Sequence, residues 1–241
     1  MAAKIITIAQ QKGGAGKTTL AAHLALAWAG SCRVAVIDID PQASLATWFG
    51  LRRERLGASA AGIEVAALGG WRVAGEVERQ ARRHDIVVID SAPHAETEAR
   101  IAVRAASLVL VPVQPSPMDV WATRPTLELA RQERIPAMLV LNRVPARANL
   151  TEAMAAELAA LGVPVAATQI GNRVALAAAL AEGRGIVEAA PSSRAAGEIT
   201  ALAREILAAS ERRDVGERAA TRAPAPAPAL APQAREPHRA G

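Results

Sequence analysis

A glycine-rich loop directly after the first apolar run constrains the fold of this chain more than any other feature. Residues 4–20 read KIITIAQQKGGAGKTTL, and an alanine-rich segment of helical character follows. Glycines let consecutive backbone N–H groups wrap an anion, because no Cβ atoms stand in the way. The helix start, Lys17 and the Thr18 hydroxyl complete the requirements for binding phosphates and magnesium. The strand, loop and helix together predict a phosphate-binding loop.

The loop carries one lysine more than phosphate binding requires. The chain has only three lysines, and two of them, Lys12 and Lys17, fall within this loop. The common G-x-x-x-x-G-K-[ST] pattern has glycine where this chain has Gln11. Lys17 occupies the position of the phosphate lysine in that pattern, so Lys12 is a surplus cation at the mouth of the loop.

Apolar runs alternate with alanine- and leucine-rich segments along the chain. Several runs are apolar throughout, which is typical of parallel strands covered on both faces. The alternation predicts an α/β fold, a doubly wound, mostly parallel sheet with helices on both faces. Residues 51–70 fit either a short strand or the start of a helix. We predict strands at 4–10, 33–40, 85–92, 107–114, 137–144 and 165–170, and helices near 17–30, 71–83, 95–105, 118–134, 150–161, 172–182 and 193–210.

Polar residues collect where the predicted strands end. Asp38 and Asp40 end the second strand, Asp90 ends the third, and Asn142 lies near the end of the fifth. Ligands of open α/β sheets bind beyond the carboxyl ends of the strands. Magnesium prefers carboxylate ligands and retains several waters. We therefore expect these residues and the glycine loop to share one rim of the sheet.

Three segments resemble one known family, the ParA/MinD ATPases. KGGAGKTT at 12–19 resembles the deviant Walker A motif of that family. VAVIDIDPQ at 34–42 resembles its switch I segment, and DIVVIDSAP at 85–93 resembles its Walker B segment. The resemblance covers about residues 3–210. It implies a P-loop NTPase fold of the deviant Walker A type, with ATP and magnesium as cofactors and a homodimer that encloses the nucleotides.

The resemblance also implies roles for single residues. Lys12 would reach the nucleotide of the partner subunit, Lys17 would hold the phosphates, and Asp40 would orient the attacking water. Thr18, Asp38 and Asp90 would surround magnesium, the two aspartates through its water shell. Asn142 would contact adenine, since its amide offers both a donor and an acceptor. The implied nucleotide-binding residues are Gly13, Gly14, Ala15, Gly16, Lys17, Thr18, Thr19 and Asn142.

The segment LVLVPVQPSPMD at 108–119 resembles the part of plasmid-type ParA proteins that contributes to the dimer face. Pro115 and Pro117 stiffen it, and a plain rigid loop is the alternative. Cys32 is the only cysteine, which argues against relatives that share an iron–sulfur cluster between subunits. The C-terminal Pro/Ala repeat cannot form the amphipathic membrane helix that ends MinD-like proteins.

The ParA branch is therefore the predicted one. It implies an ATPase that dimerises on ATP, binds DNA non-specifically and hydrolyses ATP slowly unless a ParB-like or adaptor protein stimulates it. Its cargo would be a plasmid, a chromosome or a protein cluster. The alternatives are a MinD-like, membrane-associated spatial regulator and a metabolic ligase or kinase of the same fold.

Binding DNA without sequence preference requires cations on the dimer surface. The formal net charge is +5, but the segment 212–241 holds six arginines against three acidic residues, so the rest is only mildly basic. Because arginine is the usual basic residue of this chain, a solvated surface role is an equal alternative for each candidate. The candidate DNA contacts are Arg143, Arg147, Arg173 and Arg184.

Two segments of different composition divide the chain. We predict an ATPase domain at 1–211 and a disordered Pro/Ala-rich tail at 212–241, because alternating Pro and Ala provide too little bulk for a core. No apolar run reaches the length of about 18 residues that spans a bilayer, and the N-terminus begins with a strand. We expect a cytoplasmic, nucleoid-associated protein without stable membrane association.

Overall fold

The computed structural model describes residues 2–60, 62–92, 96–146 and 149–222. Six strands form one sheet in the order β3-β2-β4-β1-β5-β6, and every strand pair within these ranges is parallel. This arrangement confirms the predicted α/β sheet. The strands are β1 (Lys4–Ile8), β2 (Val34–Asp38), β3 (Ile63–Ala67), β4 (Ile86–Asp90), β5 (Leu108–Val113) and β6 (Ala137–Leu141).

Helices cover both faces of the sheet, as predicted. Along β2, Val34 and Val36 pack in one buried cluster with residues of α1 and α9, whereas Ala35 and Ile37 pack on the opposite face with Val73 of α3. The helices are α1 (Lys17–Ala29), α2 (Ser44–Leu56), α3 (Arg72–Ala81), α4 (Glu96–Ala105), α5 (Pro117–Gln132), α6 (Asn149–Ala159), α7 (Val174–Ala181), α8 (Ile186–Ala189) and α9 (Arg194–Arg222), with a short 3-10 turn at Gly57–Ala60.

The predicted strand at 165–170 is wrong. Two isolated bridges, at Leu139–Val165 and Val144–Gly171, and one further hydrogen bond from the Ile170 N–H to the Leu141 carbonyl at 2.9 Å connect this segment to β6 and the loop after it. Between the bridges, the backbone N–H groups of Ala167 and Thr168 donate to the carboxylate of Glu205 in α9, at 2.7 and 3.1 Å. A side chain therefore takes the place of the neighbouring strand as hydrogen-bond acceptor.

Two further segments add to the prediction: residues 51–70 and the last helix. Residues 51–70, which the sequence left open, contain the end of α2 and the edge strand β3. The last helix continues to Arg222, past the expected boundary at 211. Residues 223–241 lie outside the described part of the chain, so the disordered tail stays a prediction.

Within the described residues, no helix is both long and apolar enough to span a bilayer.

A buried histidine connects the helix after the glycine loop to the C-terminal helices. His23 of α1 is fully buried, and its Nδ1 accepts a hydrogen bond from the backbone N–H of Ile186 at 3.1 Å. The imidazole is neutral, and Nε2 therefore carries its proton and donates to the Leu176 carbonyl at 3.2 Å. Burial lowers the pKa of His23 to about 4. One side chain thus holds α7 and α8 against α1.

This environment predicts a pH dependence of stability. The pKa of His23 rises from about 4 in the folded state to 6.5 in the unfolded state. Its contribution to the free energy of unfolding is therefore present above pH 6.5 and is lost as the pH falls toward 4. His23→Gln should lower the free energy of unfolding at pH 7 by about 2 kcal/mol, because it breaks buried hydrogen bonds.

Urea denaturation of both proteins at pH 7, 6 and 5 measures this effect. The difference in stability between wild type and His23→Gln should shrink as the pH falls. A difference that stays constant over this range would contradict the assignment of a neutral, buried imidazole.

Candidate functional site

The glycine loop bends between β1 and α1 through two left-handed backbone positions. Gly14 has φ of 78° and Gly16 has φ of 90°, a region that side chains rarely adopt. A Cβ atom on Gly16 would lie 2.5 Å from Nδ2 of Asn142. Gly16 is therefore required both by its backbone conformation and by the close approach of Asn142.

Side-chain amides from two neighbouring strand ends hold the loop carbonyls. Nε2 of Gln114, which follows β5, donates to the Gly14 carbonyl at 3.0 Å. Nδ2 of Asn142, which follows β6, donates to the Ala15 carbonyl at 2.8 Å. Helix α1 has neither a side-chain N-cap nor an acidic residue in its first turn. Its first N–H groups are therefore available to an external anion.

Lys17 adds a buried positive charge to this helix start. Only 7% of its surface is exposed, and it forms no hydrogen bond or ion pair with the residues that the structure describes. Burial lowers the pKa of Lys17, while the charges of Asp90 and Asp40 act in the opposite direction. A buried cation without a direct partner is costly, and a bound anion would compensate for it.

Two aspartates lie side by side at the ends of adjacent strands. Asp38 of β2 is in register with Asp90 of β4. Oδ1 of Asp38 accepts from the Asp40 N–H at 3.1 Å, and Oδ2 accepts from the Ala46 N–H at 2.9 Å. Burial raises the pKa of Asp38, while these hydrogen bonds lower it. Asp38 therefore holds the turn at Asp40 with one oxygen and the start of α2 with the other.

Asp90 is placed differently. It is 99% buried, and neither carboxylate oxygen has a hydrogen-bond partner among the described side chains and backbone. Burial raises the pKa of Asp90 to about 7, against the effects of the Thr18 hydroxyl and of Lys17. Two orphaned oxygens beside a threonine hydroxyl are hard oxygen donors, and they fit the predicted magnesium site. No group of three His, Cys, Asp or Glu that could hold a metal by itself occurs in the described ranges.

Asp40 lies in the turn beyond β2, so the predicted strand through residue 40 is too long. The strand ends at Asp38, and Asp40 is half-buried and accepts from the Gln42 N–H at 2.9 Å. Pro41 follows, and the residue before a proline is conformationally restricted. Asp40 nevertheless lines a cavity of about 390 Å³ together with Gly13 and Lys17.

Lys12 is bound by its own chain at the mouth of the loop. Its Nζ lies 2.6 Å from Oδ2 of Asp119, whose side chain is only 5% exposed. Asp119 stands in the first turn of α5 and also accepts a hydrogen bond from the Ser116 hydroxyl. Met118 and Trp121, near the start of the same helix, are 65% and 57% exposed. The surplus lysine thus has a specific partner within the described chain.

A second cavity, of about 330 Å³, adjoins the loop on the side of Asn142. Apolar side chains from α1, α7 and α9 line it, including Leu20, Leu176 and Ile199. The Ala15 carbonyl uses one of the two N–H donors of Asn142, which leaves the amide oxygen and the other N–H for a ligand. The cavity has the size and apolar character of a small-molecule site.

The four arginines predicted to contact DNA have different environments. Arg173 is bound bidentately by Glu198, with Nε–Oε2 of 2.9 Å and NH2–Oε1 of 2.5 Å, so its charge is neutralised. Arg143 lines the two cavities beside the loop rather than a separate face. Arg184 is exposed between α7 and α8. Arg147 lies outside the described residues.

Gln114, Asp119 and the position of Arg143 beside the loop were not expected from the sequence. Gln114 ends the fourth predicted strand and Asp119 follows it, so the rule that singled out Asp38 and Asp90 also applies to them. Their partners, Gly14 and Lys12, lie about one hundred residues away in sequence. The position of Arg143 depends on backbone conformation, which has no sequence signal for arginine.

One family model and two relatives of known role each match most of this chain. The model of the CobQ/CobB/MinD/ParA nucleotide binding domain matches residues 6–186. The maintenance of carboxysome distribution protein A of Halothiobacillus neapolitanus is 30% identical over 211 residues, which cover 84% of this chain and 95% of that protein. The chromosome-partitioning ATPase Soj of Thermus thermophilus is 32% identical over 238 residues, with the same shares covered.

Structural comparison points to the same fold. An ATP complex of a McdA variant from Cyanothece superimposes with a TM-score of 0.68 at 19% identity. The superposition covers 83% of this chain and 96% of the other. At this identity, the likeness establishes the sheet and helix arrangement.

The buried carboxylate of Asp90 should lower the free energy of unfolding at neutral and basic pH. Its pKa in the folded state, about 7, lies above its ordinary value of 3.8. The resulting contribution to the free energy of unfolding is full below pH 3.8 and is lost as the pH rises through 7. Asp90→Asn keeps the shape without the charge, so it should raise the free energy of unfolding at pH 8 by up to about 4 kcal/mol.

Urea denaturation without nucleotide tests this at pH 8 and pH 5. The gain should be large at pH 8 and small at pH 5, where the wild-type carboxyl is largely protonated. A variant that is equally or less stable than wild type at pH 8 would contradict the buried, unpartnered carboxylate.

Proposed function

Because this chain belongs to the CobQ/CobB/MinD/ParA nucleotide-binding family and is an ATPase of the ParA/MinD kind, we propose that it is a ParA-type positioning ATPase. ATP and magnesium bind at the glycine loop, and two chains form a homodimer that binds DNA non-specifically. A cognate ParB-like or adaptor protein stimulates slow hydrolysis, which releases the dimer and so partitions or positions its cargo. The observation that carries the proposal is one loop with two lysines, Lys17 buried beneath the phosphate site and Lys12 at its rim.

The nucleotide site follows from the groups that lack partners. Lys17 and the first N–H groups of α1 supply positive charge for the β- and γ-phosphates of ATP. The Thr18 hydroxyl and Asp90 would hold magnesium. Bound magnesium would neutralise part of the phosphate charge. Asp40 lines the same cavity and would orient the attacking water. The base would occupy the cavity beside Asn142.

The surface around Lys12 supports a homodimer. Met118 and Trp121 expose apolar area on α5, the helix that carries Asp119, and exposed Trp and Met side chains are typical of interface centres. In the dimer, Lys12 would leave Asp119 and contact the phosphates of the partner subunit, where it neutralises developing charge. Cations supplied in this way contribute on the order of 10³–10⁵ in rate. Because Lys12 first has to leave a carboxylate, hydrolysis by single chains should be slow.

The names of the relatives support a general class of cargo and a cellular location, and not one particular cargo. One relative is named for carboxysome distribution and another for chromosome partitioning, so protein clusters and chromosomes are both represented. These relatives favour the ParA branch over a MinD-like membrane regulator. Arg184 is an exposed cation without an ion pair among the described residues, and it remains a candidate DNA contact. We infer that the protein works in the cytoplasm on the nucleoid.

Lys12→Ala should abolish dimerisation on ATP, because the partner's phosphates lose their second cation. Light scattering with ATP and magnesium should give the mass of one chain for Lys12→Ala and of two chains for wild type. Lys4→Ala is the matched control, since Lys4 begins β1 at the opposite end of the strand. A Lys12→Ala protein that still doubles its mass would contradict the role of Lys12 in the dimer.

Asp40→Ala should trap the ATP-bound dimer on DNA, because water is no longer oriented for attack. We expect ATP hydrolysis to fall at least about 100-fold, as is usual when an essential catalytic group is removed. A gel shift with ATP should show retained DNA binding that weakens steeply with salt. Glu54→Ala, at an exposed position on α2, is the control. Normal hydrolysis by Asp40→Ala would overturn this assignment.

A further inference from the structure

The backbone at Arg143 is held in an unusual conformation directly after β6. Arg143 has φ of 54°, a left-handed position that costs a non-glycine residue on the order of 1 kcal/mol or more. Both neighbours are fixed: the Asn142 N–H donates to the Val113 carbonyl at 2.8 Å, and the Val144 N–H donates to the Ile170 carbonyl at 2.9 Å. The surrounding sheet therefore imposes this conformation on the residue.

The strained backbone brings the Arg143 side chain to the glycine loop. Its Nε lies 3.8 Å from the place that a Cβ atom on Gly16 would occupy. The side chain is exposed and forms no hydrogen bond or ion pair with the residues that the structure describes. Arg173 in the same region is bound by Glu198 on both of its donor nitrogens. Among the described residues, Arg143 is thus a cation beside the glycine loop that no carboxylate binds.

Arg143 stands where the two cavities of the site meet. The cavity of about 390 Å³ over the phosphate loop and the cavity of about 330 Å³ beside Asn142 are both lined by Gly16, Thr19 and Arg143. A nucleotide with its terminal phosphates in the first cavity and its base in the second has to pass this junction. Its ribose and α-phosphate therefore lie there, and Arg143 is the single cation that both linings share.

We propose that Arg143 binds the α-phosphate of the nucleotide and is a retention residue for ATP and ADP alike. The inference rests on the proposed nucleotide site. Guanidinium groups suit phosphate oxygens because they present several donors in a fixed plane. The α-phosphate takes no part in hydrolysis, so its contact is equally strong before and during the reaction. Such uniform binding lowers KM and leaves kcat nearly unaffected.

Arg143→Gly is a sharp test, because glycine adopts the left-handed backbone without strain. The fold should therefore remain intact, with a thermal midpoint at or above that of wild type. We expect the Kd for ATP and for ADP to rise by the same factor, about tenfold, the loss of one charged hydrogen bond. KM should rise by this factor, and kcat at saturating ATP should fall less than twofold. Arg143→Lys should recover part of the affinity.

Arg134→Gly is the matched control. Arg134 is also an exposed arginine in left-handed conformation, with φ of 57°, but it follows α5 next to the start of β6. Its replacement should leave both nucleotide affinities unchanged.

Each other outcome has a defined meaning. Unchanged affinity in Arg143→Gly overturns the inference, and a loss for ATP without a loss for ADP overturns it in favour of a γ-phosphate contact. A large fall in kcat with unchanged KM also overturns it. If wild type binds neither ATP nor ADP, the proposed function itself fails, and this result is separate from any effect of Arg143.

Discussion

The central constraint of this structure is a lysine that is buried at a helix N-terminus and has no direct acidic partner in the part of the chain that the structure describes. Lys17 follows a loop whose carbonyls are held by amides, so its charge and the N–H groups of α1 add at one point. Burying such a charge is unfavourable unless an anion compensates for it. The parallel sheet places four strand ends around the lysine, where ligands of such sheets bind. Asp38, Asp90, Gln114 and Asn142 all come from these ends.

The charged residues of the site have different hydrogen-bond partners and therefore different roles. Asp38 uses both oxygens on backbone N–H groups and so positions the turn that carries Asp40, whereas neither oxygen of Asp90 has a hydrogen-bond partner among the described groups. Lys12 is the second cation of the loop, and it is bound to Asp119 instead of a phosphate. Its exchange of partner would connect nucleotide binding to association of two chains. The exposed Met118 and Trp121 lie on the same helix as Asp119.

Most of the fold was predictable, because apolar runs and polar strand ends are local signals. The glycine loop, Asp38, Asp40, Asp90 and Asn142 were all expected at one rim, and the structure brings them together there. Local signals do not show contacts between distant residues. Glu205 replaces a strand partner at 167–168, and Glu198 neutralises Arg173. Both acidic residues lie on the last helix, far in sequence from the groups they bind. The left-handed backbone of Arg143 likewise depends on its neighbours in space.

The central claim is that Lys12 exchanges Asp119 for the phosphates of a second chain. A crystal structure with a non-hydrolysable ATP analogue and magnesium tests it most directly. The account predicts two chains face to face, with Nζ of Lys12 away from Asp119 and within hydrogen-bond distance of the nucleotide bound to the partner. Separate chains that hold nucleotide while Lys12 remains on Asp119 would contradict it.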